Sequence, residues 1–94
     1  MPSHVIERKV KGGKLFRLRL IDVDDRRSVQ LTGDFSLEPE EGIEILESCL
    51  SECLYISDKG EAERRLSLAI TGSHLQIFGF EAIDIIDALW EVRP

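Results

Sequence analysis

Ninety-four residues, 43% of them hydrophobic and 32% charged, suit one globular domain spanning 1–94 rather than a disordered segment. No apolar run approaches the ~18 residues that cross a bilayer, and the opening Met-Pro-Ser-His-Val-Ile-Glu-Arg-Lys is charged at once. The expectation is a cytoplasmic chain without a secretory signal or a membrane partner. The net charge of −6 is unevenly spread: residues 1–33 carry eight Lys/Arg against four Asp/Glu, and residues 34–94 carry four against fourteen. A basic edge and an acidic face follow from that split, and the acidic whole argues against a nucleic-acid partner.

In chain order, "VIERKV" (5–10) reads as a strand, and "KGGK" (11–14) as a tight turn whose paired glycines supply positive φ. "LFRLRLIDV" (15–23) alternates Phe16, Leu18 and Leu20 with Arg17 and Arg19, a period of two with one buried and one basic face. "DDRR" (24–27) is a second turn, and "SVQLTGDF" (28–35) repeats the alternation through Val29 and Leu31. Three strands on short turns make an antiparallel meander.

The period then changes. Ile43, Leu46, Leu50 and Leu54, with Cys49 and Cys53 beside them, form one stripe of a helix. Pro39 is expected in its first turn, with Glu38, Glu40 and Glu41 at the positive end of the helix dipole. Gly42, costly inside a helix, marks a close approach to the sheet. A second helix is expected over 61–70 through Ala62, Leu66, Ala69 and Ile70. "TGSHLQIFGF" (71–80) is ambiguous between a loop and a short extended piece. A third helix near 82–92 gathers Ile83, Ile86, Leu89 and Trp90 on one face, with Phe80 and Ile85 as a hydrophobic staple. The sum is an α+β domain: a three-stranded antiparallel sheet followed by two to three helices packed on one face.

No nucleophile–base constellation is visible, because His4 and His74 fall in an N-terminal tail and a loop. "GGK" lacks the spacing of a phosphate-cradling loop, though Lys11 and Lys14 project from the turn toward any passing anion. Cys49 and Cys53, one helical turn apart, are too few for a closed metal site and read as small buried hydrophobes. In "TGDF", Gly33 is expected to take a backbone angle that other residues resist, and Asp34 to accept main-chain N–H groups at the turn. Phe35 is expected to continue the buried register of Leu31. No catalytic and no metal-binding residue is assigned.

"KVKGGKL", the alternating strands, "LTGDFSLEPEEGIEILESCL" and "GFEAIDIIDALW" together resemble the C-terminal accessory domain of lipoate–protein ligases. The likeness is greatest to its stand-alone form in archaeal-type, two-protein ligases, and it departs from that pattern at Ser36 and across 51–80. The resemblance implies a fold of the iron–sulfur scaffold (NifU/SufE) type. It also implies a heterodimer in which the large partner subunit uses ATP and magnesium to activate lipoate to lipoyl-AMP. The lipoyl group then passes to a lysine of an acceptor domain, and the small subunit binds no cofactor itself. The matching positions are Gly12, Gly13, Lys14, Gly33, Asp34 and Phe35, which would shape the docking surface, with Lys14 nearest the nucleotide. The alternative suggested by the same fold type and the two thiols is an iron–sulfur or sulfur-transfer scaffold.

Overall fold

The computed structural model describes residues 3–9, 14–23 and 26–92. Strands β1 (Ser3–Lys9), β2 (Leu15–Val23) and β3 (Arg26–Gly33) form an antiparallel sheet in the order β1-β2-β3. A short strand, β4 (Ser36–Glu38), leads to helices α1 (Gly42–Cys53) and α2 (Lys59–Gly72). Strand β5 (Gln76–Phe78) and helix α3 (Ala82–Val92) complete the chain. The expected α+β architecture is therefore present: a three-stranded antiparallel sheet, then three helices.

The meander's register follows from its alternation. Phe16, Leu18 and Leu20 on β2 face Gly33, Leu31 and Val29 on β3, and the five hydrophobic side chains among them are buried. Arg17 and Arg19 fall between them and point the other way, opposite Glu7 and Val5 on β1. Directly opposed residues share a face, so one face of the sheet is apolar and the other is open to water. Arg17 is ion-paired with Glu7 across that open face, its Nε 2.8 Å from the carboxylate.

The helices cover the apolar face. Helix α1 lies along β3, α3 lies under β1 and β2, and α2 packs against both α1 and α3. Leu46, Leu50 and Cys53 from α1 meet Ala62 and Leu66 from α2 and Ile85, Ile86 and Leu89 from α3 in one continuous core. Each large aliphatic fully buried there contributes about 1.5–3 kcal/mol. Helix α2 begins two residues before the sequence expectation because Asp58 caps it, accepting from the Gly60 N–H at 3.2 Å. Helix α3 starts as expected. The Asp84 carboxylate accepts the Glu81 N–H at 2.8 Å, with Phe80 and Ile85 both buried behind it.

Several boundaries differ from those the sequence suggested. Arg26 and Arg27 belong to β3, not to a turn, since they continue the pairing opposite Val23 and Asp22. Strand β3 ends at Gly33 and does not run on to Phe35. Residues 36–38 form β4, paired antiparallel with β5 (Ser36 opposite Phe78, Glu38 opposite Gln76). That pairing resolves the middle of "TGSHLQIFGF" as extended over Gln76–Phe78, while Thr71 and Gly72 end α2. Pro39 and Glu40 lie in the turn before α1, where the Pro39 carbonyl accepts the Gly42 N–H at 3.0 Å. Of the acidic residues expected at the helix start, Glu41 is the N-cap, while Glu38 is in β4. Gly42 does mark a close approach, but to Leu75 at the entry to β5: a Cβ there would overlap the Leu75 side chain. Residues 10–13 and 24–25, which include most of the first expected turn and half of the second, lie outside the described residues.

Candidate functional site at the end of the sheet

The residues singled out in "TGDF" converge where β2 begins and β3 stops. Gly33 pairs with Phe16 and takes φ +146°, a conformation that L side chains rarely adopt. A Cβ on Gly33 would lie 2.6 Å from the Phe16 Cα and inside contact distance of the Leu15 carbonyl. Only glycine lets the two strands meet this closely. The next residue, Asp34, donates its N–H to the Leu15 carbonyl at 2.7 Å, so the bond that fastens the turn is a main-chain one. That bond uses the Asp34 amide as donor, a different group from the carboxylate that the sequence offers as an acceptor at this turn. Lys14, immediately before β2, stands exposed at the same end of the sheet.

Phe35 is only half-buried, because the chain leaves the strand before reaching it. Its ring meets Phe80 edge-on, centroids 4.9 Å apart, and Phe80 meets Phe16 in the same manner at 5.6 Å. Such edge-to-face pairs add about 0.5–1.5 kcal/mol each beyond burial. Gly79, at φ +127°, closes the set from the other side, since a Cβ there would press on the Phe35 Cβ at 3.0 Å. The aromatic trio ties the end of the three-stranded sheet to the turn before α3.

Beside the turn, Thr32, Gly33, Phe35, Leu37, Glu40 and Ile43 line a shallow depression of about 430 Å³. Gly33 and Phe35 line this depression, Asp34 is tied to Leu15 beside it and Lys14 precedes Leu15 in the chain, while Gly12 and Gly13 lie outside the described residues. The apolar spacing alone did not reveal Leu37, Glu40 and Phe80 as neighbours of this site. Phe80 could have been found, because Gly79-Phe80 repeats the Gly–aromatic pattern near Gly33 and Phe35. Chemically, the site offers an apolar floor, the carboxylates of Asp34 and Glu40, main-chain groups and a peripheral ammonium at Lys14. That is equipment for packing against another surface.

The two thiols occupy a different place and differ from each other. Cys53 is fully buried, its sulfur 3.8 Å from the Ala62 carbonyl oxygen. The adjoining Cys49 sulfur and burial both push its pKa well above the ordinary thiol value. Cys49 is only half-buried, and the adjoining Cys53 thiol lowers its pKa, against burial and the Glu52 carboxylate. The expectation of two buried hydrophobes therefore holds for Cys53 alone: Cys49, one turn earlier, faces the seam between α1 and α2. Among the described residues, no group of three or more His, Cys, Asp and Glu is arranged around a common point. His74 sits at φ +53° in the turn after α2, exposed. Among the described residues, no helix is long and apolar enough to cross a membrane. No protein-family model, no curated protein and no solved structure matches this chain.

Proposed function

We propose that this chain is the non-catalytic accessory subunit of a two-protein lipoate–protein ligase. In this role the end of the sheet bearing Lys14, Gly33, Asp34 and Phe35 docks beside the partner's adenylation site. The observation that carries the proposal is the convergence of these four residues, the described part of the set behind the family resemblance, on one rigid end of the sheet. Adenylate formation requires the lipoate carboxylate and the ATP α-phosphate to be held in line and away from water. A domain that orders the partner's loops by packing over them meets that need without a nucleophile of its own. The glycine-locked strand junction and the aromatic trio make this surface stiff, so little entropy is lost when it docks.

The test is reconstitution. A lipoate-activating chain that lacks this domain is mixed with ATP, magnesium and lipoate, with and without the present chain, and lipoyl-AMP is followed by mass spectrometry. Lipoyl-AMP is expected only in the mixture, and equal yields without the small chain would overturn the proposal. Replacement of Lys14 by Ala is expected to slow activation by about tenfold if the ammonium approaches the nucleotide. A normal rate would remove Lys14 from the role and leave the docking proposal standing.

One observation favours a second reading, a sulfur-transfer scaffold: Cys49 is the more acidic and more accessible of the two thiols. A single accessible thiol is fewer than the three or more thiolates that cluster scaffolds present. Incubation with cysteine and a cysteine desulfurase, then intact-mass measurement, separates the two. A persulfide on Cys49 would favour sulfur transfer.

A further inference from the structure

We propose that the seam between α1 and α2 is a docking groove for an amphipathic helix of a partner protein bearing basic residues along the flank of its apolar stripe that faces α1. The proposal is independent of the ligase reading and concerns a different surface.

The groove has a volume of about 710 Å³. Its floor is apolar: Ile45 and Cys49 from α1 face Leu68 and Ala69 from α2. Leu68 is 65% exposed and Ile45 38% exposed, although every other large apolar side chain on α1 and α2 is buried or half-buried. Two aliphatic side chains left in water on opposite walls of one cleft are not explained by the chain's own core, which closes behind them. Glu44, Ser48 and Glu52 follow one another at intervals of four along the α1 rim, so the two carboxylates stand about 12 Å apart along the helix axis. On the α2 rim, Arg65 is held by Glu61 at 3.2 Å. The α1 rim is thus acidic, while the α2 rim carries Arg65, which shares the one Glu61 carboxylate with Arg64.

A helix fits that pattern. Aliphatic side chains at i, i+3 and i+4 would seat between Ile45 and Leu68, and Lys or Arg residues about two turns apart would meet Glu44 and Glu52. A second copy of this chain does not supply such a helix among the described residues. All three helices bury their apolar stripes at home, and Lys59, Arg64 and Arg65 are engaged by Asp87 and Glu61. Nor does an extended strand suit the cleft, which runs between helices and presents no free main-chain edge.

Cys49 makes the groove testable on the intact chain, because it lies on the floor and is the readily ionised thiol of the pair. Its alkylation by iodoacetamide at neutral pH is followed by intact mass, with the modified residue identified by peptide mapping. The probe is a synthetic helical peptide of about 15 residues with Leu at the i, i+3 and i+4 positions and Arg two turns apart along one flank of that stripe. A control peptide carries Glu in place of Arg. Saturating cationic peptide is expected to slow Cys49 alkylation by about fivefold or more, and the acidic control to leave it unchanged. Glu44→Arg combined with Glu52→Arg, two exposed changes that spare the core, should reverse the preference between the peptides. Leu68→Glu should abolish protection by either. Absence of protection, equal protection by both peptides, or an unreversed preference in the Glu44/Glu52 variant would overturn the proposal. So would concentration-dependent self-association that shields Cys49 without peptide, since the occupant would then be a second copy.

Discussion

Gly33 and Gly72 are the same residue type with opposite roles. At Gly33, φ +146° and the adjoining Leu15 and Phe16 backbone leave no room for a side chain. The Gly33→Ala change is therefore expected to cost about 2–4 kcal/mol, from strain plus displaced backbone. Gly72, in the last turn of α2, has no positive φ, and a methyl group added there would meet nothing within 4 Å. There Gly72→Ala should stabilise by about 0.5–1 kcal/mol through the unfolded chain's lost freedom. Urea unfolding of the two variants checks both signs; a mild effect at Gly33 would mean that the strand junction yields. The backbone angle at Gly33 was legible in "TGDF", since a glycine ending an alternating run calls for it. The main-chain bond from Asp34 to Leu15 was not, because it depends on which strand lies alongside.

Among the elements, the exposed edge of β3 is treated unlike an ordinary strand edge. Its outward amides are taken up by α1: Leu31 N–H donates to the Glu47 carboxylate at 2.8 Å, and Val29 N–H donates to the Ser51 hydroxyl at 3.0 Å. The same hydroxyl donates to the Glu47 carbonyl at 2.8 Å, which fixes its rotamer. An unpaired strand edge templates association with other chains, and the helix here stops it. Replacing Glu47 by Ala leaves the partly buried Leu31 amide without its acceptor, a loss of about 1–3 kcal/mol. Faster hydrogen exchange at Leu31 than at Leu18 in that variant, beside a lowered urea midpoint, is the expected result. Unchanged exchange would show that water replaces the carboxylate. On the sequence alone Glu47 looks like one more residue of a solvated acidic helix face, because nothing local says that its partner strand lies 16 positions away.

For the whole molecule, the dominant stabilisation is the single core between the sheet's apolar face and the three helices. Ile86 is completely buried among them, and Ile86→Ala should cost about 2–5 kcal/mol from lost transfer energy and the cavity left behind. Domains of this size have only about 5–10 kcal/mol in hand, so the variant is expected near its unfolding threshold at about 37 °C. Thermal denaturation followed by circular dichroism reads this directly, and an unshifted midpoint would mean that the core recloses around the gap. The uneven charge also acquires a geometry. Arg17, Arg19 and Lys9 lie on the open sheet face opposite the helical layer, while Glu44, Glu52 and their neighbours line the helices.

By itself the chain's pattern of apolar spacing determined the elements and their sides. Period-two runs placed Phe16, Leu18, Leu20, Val29 and Leu31 under the helices, and spacings of three and four placed Leu46, Leu50, Ile86 and Leu89 against them. Those signals are local, because a residue's face within a strand or helix depends only on its own position in the repeat. Tertiary structure decided what no local repeat encodes. The three-residue strands β4 and β5 exist because they pair with each other across a long stretch of chain, Ser36 with Phe78, and neither is long enough to declare itself. The same holds for the meeting of Phe35 with Phe80 and for the cleft between Ile45 and Leu68. Contacts between distant segments are set by how layers stack, and stacking is a property of the assembled surfaces.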